Sequence, residues 1–313
     1  NEIKNSPRMG ILGGTSSSEI LNNNIHDNAL YGIYAGFSYD QSGGLIEGNR
    51  IHDNKGYGIH LYNTPGGVHN NIIRNNVFYN NGYGYYYDFG NGTEFRTATA
   101  LIITSGGNNI AYNNVIYNNY AGMFVGYGAV DSKIFNNTIY GNTTYGLDIN
   151  AAYSGSTNAE VFNNIVYSNG TSQLTNDAMN TTLRNNLTDQ DPRFVSPSAN
   201  DFHLRQGSPA INAGLTLPEV PCDFDGNGRP AGSAHDIGAY EYGGIPSQDC
   251  KGAPGPSPSP GASPSPRPSP AETQPPPPPP ILSMLASPPN ISPGSPVVII
   301  WYSANVTSCT ASA

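Results

Sequence analysis

Along residues 11–190 apolar and polar side chains alternate in short runs, as in Ile33-Tyr34-Ala35 and Ile59-His60-Leu61. That is the period of a strand with one buried face. The runs are bounded by Asn, Gly or Asp, which tolerate the left-handed backbone of a tight corner. They recur in one frame: Asn, any, Ile or Val, any, any, Asn, any, any, any, Gly. The copies are Asn23-Ile25-Asn28-Gly32, Asn49-Ile51-Asn54-Gly58, Asn75-Val77-Asn80-Gly84, Asn113-Val115-Asn118-Gly122 and Asn137-Ile139-Asn142-Gly146. A degenerate copy keeps Asn164, Val166 and Asn169 but has Gln173 in the glycine position, and a weak one keeps Asn186. Successive first asparagines lie 26, 26, 38, 24, 27 and 22 residues apart, a period that marks a repeat architecture.

About 22–27 residues suffice for three short strands and three corners, one turn of a parallel β-helix. Stacked at ~4.8 Å per layer, equivalent asparagines come to lie above one another and form hydrogen-bonded ladders. A helical repeat fits poorly, because each unit is dense in β-branched and aromatic residues and is interrupted by Gly. The run Asn22-Asn23-Asn24-Ile25-His26-Asp27-Asn28 through Gly32-Ile33 resembles the right-handed parallel β-helix, or pectin-lyase-like, superfamily. The resemblance implies an all-β solenoid over residues 1–190. It does not select a function, since polysaccharide lyases, hydrolases, epimerases, tailspikes and adhesins share that fold.

Residues 191–243 read as a different segment, one that closes the solenoid as its atypical end unit. Asp191-Pro192-Arg193-Phe194-Val195, Gly207-Ser208-Pro209-Ala210-Ile211-Asn212, Asp223-Phe224-Asp225-Gly226-Asn227-Gly228-Arg229-Pro230 and Asp236-Ile237-Gly238-Ala239-Tyr240-Glu241 resemble the choice-of-anchor Q region of exported bacterial β-helix proteins. The resemblance implies export and surface attachment. Residues 244–280 are a Pro/Ser-rich linker, expected as extended polyproline II. Residues 281–313, with Val297-Val298-Ile299-Ile300-Trp301, read as the opening strands of a truncated, immunoglobulin-like β-sandwich. Both ends of the chain fall within β-type sequence, as expected of a piece of a longer protein.

Composition narrows the partners. Of 313 residues only 11% are charged, the net charge is −9, and there are 37 Gly and 21 Tyr. This suits an extracellular or cell-surface β-protein, and the acidic balance leaves no basic stripe for nucleic acid. No apolar run reaches the ~20 residues of a membrane span. A monomer is expected. Cys222 and Cys250 could pair in an oxidising compartment, with Cys309 left over, or all three could be free thiols.

The candidate chemistry sits after each Gly. If Ile33, Ile59, Tyr85, Met123 and Leu147 point inward, then Tyr34, His60, Tyr86, Phe124 and Asp148 point outward, with Tyr62 and Asp88 in a parallel column. Aromatic faces beside hydrogen-bonding groups suit pyranose rings, so Tyr34, Tyr62, Tyr86, Phe124 and Asp148 are expected to bind a glycan. The same stacking could instead serve stability alone. The 38-residue spacing places an insertion around Phe89–Arg96 beside this face. His60, Asp88, Glu94 and Arg96 could then supply the base and cation of a lyase or the carboxylate pair of a hydrolase. The repeated Ile-His-Asp-Asn, which stacks His26 on His52 and Asp27 on Asp53, reads as repeat identity in a corner. Asp223, Asp225 and Asn227 match the start of a Ca²⁺ loop but lack its closing Glu, which leaves a possible calcium site against a plain turn. No other cofactor is called for. The expectation is a secreted or surface-bound solenoid that binds or processes polysaccharide; the alternative is a non-catalytic stalk or adhesin.

Overall fold

The computed structural model describes residues 1–13, 17–35, 41–62, 67–84, 86–88, 93–95, 98–151, 155–250, 281–287 and 298–304. The chain divides into two compact units, Asn1–Gly261 and Ala262–Ala313. In the first unit three parallel seven-stranded sheets are built by successive turns. One turn places Glu19–Leu21 in the first sheet, Asn24–His26 in the second and Ile33–Ala35 in the third. Strand order follows chain order, so each turn rests on the one before it. The central residues of the second sheet run Ile25, Ile51, Phe78, Ile116, Ile139, Val166. The fold is a right-handed parallel β-solenoid of about six turns. Its interior is one apolar column that includes Ile25, Ile33, Ile73, Leu101, Met123 and Ile139, all fully buried.

Each corner on either side of the second sheet uses two residues. The first takes a positive φ: Asn22, Asn75, Asn113, Asn136, Asn163 and Asn185 before the sheet, Asp27, Asp53, Asn80 and Asn118 after it, with Gly48 and Gly141 substituting. The second points inward and joins a ladder. One ladder runs Asn23–Asn49–Asn76–Asn114–Asn137–Asn164–Asn186, each Nδ2 donating to the next Oδ1 at 2.9–3.1 Å. The other runs Asn28–Asn54–Asn81–Asn119–Asn142–Asn169 at 2.8–3.1 Å.

The repeat frame therefore slips by one residue in its third and fourth copies. Asn76, Asn81, Asn114 and Asn119 hold the ladder, whereas Asn75, Asn80, Asn113 and Asn118 are the left-handed corners. Phe78 and Ile116, not Val77 and Val115, carry the core position. The sequence has Asn-Asn at all four places, and the two roles use the same residue type for different reasons. Gln173, the degenerate position, ends the second ladder: its Oε1 accepts from Asn169 N at 3.0 Å and Asn169 Nδ2 at 3.1 Å. The repeat glycines serve close approach, since a Cβ on Gly58 would lie 2.4 Å from Ala100 O and one on Gly122 2.2 Å from Gly146 O.

The segment expected to close the end of the solenoid lies along its flank instead. Phe202 packs on Tyr117 and Tyr140 of the second sheet, with ring centroids 5.2 and 5.4 Å apart. Leu217 and Val220 join Tyr112 and Phe135 of the first sheet. Outward Val77, Val115 and Ile165 are buried in the same cluster as Phe194, Phe224 and Tyr240. The corner asparagines clasp this segment: Asn113, Asn136, Asn163 and Asn185 donate to the carbonyls of Cys222, Asp236, Leu215 and Ala213. The outer columns of two sheets are apolar at these turns, and the strap laid along them takes that surface out of water.

The strap is locked by a buried charge cluster. Arg229 and Glu241 pair at 3.4 Å with both side chains almost wholly enclosed. Asp223 accepts from the backbone N–H of Asp225, Asn227 and Glu241. Burial pushes Glu241 up to about 7, against the pull of Arg229. A Cys222–Cys250 disulfide closes this segment. Residues 251–280, most of the expected linker, and Cys309 lie outside the described residues. In the second unit Ile281–Ser287 pairs antiparallel with Val298–Ala304.

Candidate functional site

The strap takes its place on the first and second sheets, and among the described residues those of the third sheet are absent from its apolar contacts. The outward column of the third sheet runs Leu12, Tyr34, His60, Ile102, Phe124, Asp148, Thr175. Tyr34, His60, Phe124 and Asp148 thus share one column, as the alternation requires.

Tyr86 does not belong to it. The strand following Ile59–Leu61 is Thr99–Gly107, which puts Leu101 at the inward position expected for Tyr85 and Ile102 at the outward position expected for Tyr86. Tyr86–Asp88 instead pairs antiparallel with Thr93–Phe95, so that Tyr86 faces Phe95, Tyr87 faces Glu94 and Asp88 faces Thr93. The insertion is a hairpin spliced into the corner before the third sheet. The side chains of Tyr86, Asp88 and Glu94, together with Arg96 and Tyr85, lie outside the described residues.

His60 is the centre of an aromatic nest. Its ring stacks on Tyr34 at 4.9 Å and Tyr62 at 5.4 Å, and meets Tyr57 at 4.8 Å and the edge of Tyr31 at 5.5 Å. Its Nδ1 is buried without a hydrogen-bond partner. Desolvation drives its pKa down to about 3, so the imidazole is neutral across the physiological range. A base that weak is poorly matched to proton abstraction near pH 7; the ring serves as an uncharged member of the aromatic surface. Tyr34 is itself mostly covered, at 8% exposure, so Tyr62 and Tyr57 form the accessible part of the nest. Further along, Phe124 lies 5.5 Å from Tyr127, which is 40% exposed. Asp148 accepts from Thr175 Oγ1 at 2.6 Å and Asn150 Nδ2 at 3.3 Å.

The second sheet holds chemistry that the repeat seemed to explain away. His26 and His52 stack at 4.7 Å, and each ring Nδ1 lies 2.6 Å from the carboxylate of the next residue, Asp27 or Asp53. Tyr79 continues the column, 4.4 Å from His52. Arg50 hydrogen-bonds the Tyr79 phenol, whose pKa burial nonetheless raises. The one-residue slip of the third copy is what brings Tyr79 into register with His52, while Arg50 stands in the neighbouring column opposite Val77.

Asp223, Asp225 and Asn227 are each engaged with protein groups in this loop. Both Asp223 oxygens are taken by N–H donors, one of them Asn227 Nδ2 at 2.9 Å, while Asp225 turns to His203 Nε2 at 2.7 Å. Among the described residues no group of three or more His, Cys, Asp or Glu is arranged for a metal ion. The loop is an Asx-type turn that pins the strap.

Residues 1–100 match a family model described as a right handed beta helix region. The crystal structure of pectate lyase Pel9A is similar over 77% of this chain and 69% of its own, with 21% identity and a TM-score of 0.50. A double mutant of the periplasmic alginate epimerase AlgG aligns at 17% identity and a TM-score of 0.43, over 57% of this chain and 43% of that one. The Azotobacter vinelandii mannuronan C-5 epimerase AlgE6 A-module aligns at 14% identity and a TM-score of 0.41, over 61% of this chain and 57% of that one. No curated protein sequence matches the chain. The likeness to Pel9A is one of fold.

Proposed function

We propose that this protein is an exported polysaccharide-binding β-solenoid whose glycan lies across the outer face of the third sheet. The observation that carries the reading is the distribution of cover. The strap occupies the flanks of the first two sheets and leaves the third with Tyr57, Tyr62, Phe124 and Tyr127 in reach of a ligand. Aromatic rings spaced over several ~4.8 Å layers match the repeat of a sugar chain better than a compact ligand. The disulfide fits an oxidising compartment, and a pectate lyase shares the fold. The test is affinity electrophoresis against a panel of neutral and acidic polysaccharides. Tyr62→Ala and Phe124→Ala should each weaken binding at least about threefold, the loss of an aromatic stacking contact. Retention by no polysaccharide would sink the reading and leave the spacer role.

A second reading, processing of a polysaccharide laid instead along the second sheet, is favoured by the stacked His–Asp pairs. His52 with Asp53 could exchange a proton, and Arg50 beside Tyr79 could hold a sugar carboxylate. Release of reducing ends or unsaturated uronate, abolished by His52→Gln, would support it. Activity indifferent to that substitution would refute it.

A further inference from the structure

The third-sheet strand Ala121–Val130 carries a bulge. Against Thr99–Gly107 its register runs from Thr104 opposite Gly126 to Gly106 opposite Ala129, so one strand takes an extra residue. That residue is Tyr127, at φ +50, followed by Gly128 at φ +83. A bulky side chain rarely adopts this region, because its Cβ crowds the carbonyl oxygen. Regular alternation after inward Val125 and outward Gly126 would turn residue 127 into the apolar column. Instead Ala129 takes the next core position and the Tyr127 ring is 40% exposed. It lies 5.5 Å from Phe124 at an interplanar angle of 42°. Gly126 makes room for the pair: a Cβ there would fall 2.3 Å from Cε1 and 2.5 Å from Cζ of Phe124. The next turn sets half-buried Asp148 in register with Phe124. Thr175 and Asn150 donate to that carboxylate, which has about four acceptor positions and keeps its charge on the face. Among the described residues of the outward column it is the one charged side chain, since His60 is neutral.

We propose that Phe124 and Tyr127 form one sugar subsite and that Asp148 restricts it to an uncharged pyranose, so that the third-sheet face takes a neutral polysaccharide and not a polyuronate. This rests on the reading of that face as the glycan surface and names the class of glycan. The strained backbone at Tyr127 gains nothing in the core, where Ala129 sits. Such outliers and bulges are kept where a side chain has to be aimed. Two rings meeting at an angle give the C–H face of a pyranose a shallow seat. A uronate carboxylate there would stand about one ~4.8 Å layer from Asp148, a repulsion that weakens binding by roughly threefold or more at each such contact. A hydroxymethyl group in its place brings a donor to the same carboxylate. The formal net charge of −9 acts in the same direction on a polyanion.

The experiment is quantitative affinity electrophoresis of the full chain in polygalacturonate, alginate, the carboxyl-reduced form of each, xylan and mixed-linkage β-glucan. Retention that Tyr62→Ala weakens reports the third-sheet face. At least one neutral polymer should give such retention, at least about fivefold tighter than either polyuronate, and added salt should narrow the gap. Tyr127→Gly removes the ring and suits the positive φ. It should weaken retention by the neutral polymer at least about threefold while the melting temperature holds or rises; a ring of structural use alone would lower it. Asp148→Asn keeps an acceptor for Thr175 and should narrow the neutral-to-uronate ratio at least about threefold. Three results would each overturn the proposal and leave the third-sheet face standing: Tyr62-dependent retention as tight by a polyuronate as by any neutral polymer, retention indifferent to Tyr127→Gly, or a ratio unmoved by Asp148→Asn. Retention by no polymer, or none that Tyr62→Ala weakens, would remove that face and this inference with it.

Discussion

At the scale of single residues, neighbouring asparagines carry unequal burdens. Asn119 donates to Phe78 O, Tyr117 O and Asn142 Oδ1, and its own Oδ1 accepts from Asn81 N and Nδ2. Asn119→Leu strands several of these buried groups and should cost on the order of 3–5 kcal/mol. Asn80, a half-buried corner whose side chain bonds Asp53 at 3.1 Å, should accept Gly within about 0.5 kcal/mol because Gly shares its left-handed φ. Chemical denaturation of both variants checks the contrast, and equal losses would contradict the register. His60 gives a second prediction. Its folded pKa of about 3 lies below the ordinary value of 6.5, so the unfolded chain binds the extra proton as pH falls between those limits. Stability is therefore lost on acidification from about 6.5 downward, and His60→Phe should retain roughly 1–3 kcal/mol more at pH 4 than the wild type. A comparison of melting temperatures at pH 7 and pH 4 reads this directly.

At the scale of elements, the strap behaves as a long wrapping segment with one short antiparallel pair, Phe194–Ser196 with Asp201–Leu204, held by rings, corner amides and one charge cluster. Phe202→Ala removes the ring between Tyr117 and Tyr140 and should cost about 3–5 kcal/mol, seen as faster hydrogen exchange in residues 191–243 with the solenoid ladders still protected. His203 lies between Asp201 at 2.6 Å and Asp225 at 2.7 Å, and those carboxylates, Asp225 first, raise its pKa to about 9. Its contribution is complete below pH 6.5 and fades as pH rises through 9. Strap protection should therefore fall between pH 7 and 10, and His203→Gln should flatten that dependence. The motif residues Asp223, Arg229, Asp236 and Glu241 were readable as a block, but their spacing alone could not say whether they bind a ligand or each other. Only the folded loop brings Asp223 under the Glu241 N–H.

At the scale of the whole molecule, the strap decides which sheet flanks are covered. Because residues 222 and 250 are joined, the Cys222→Ser, Cys250→Ser double variant frees a loop of 28 residues and should lose about 3–4 kcal/mol of strap stability by loop-closure entropy. Differential exchange between strap and solenoid measures it; unchanged protection would mean that packing alone suffices. The period, the strand alternation and the Asn/Gly punctuation determined the solenoid by themselves, since each is a local requirement of a short strand meeting a tight corner. The column of Tyr34, His60, Phe124 and Asp148 followed from the same period of two. Three things waited for the tertiary structure. In each Asn-Asn pair, corner and ladder use one residue type. The long insertion lies before the third-sheet strand, so Ile102 takes the place expected for Tyr86. The outward aromatic columns of the first and second sheets are covered by a segment over a hundred residues away in places, such as Asn113 to Cys222. Side-chain burial on a solenoid flank depends on what is laid across it, and a repeat motif carries no record of that.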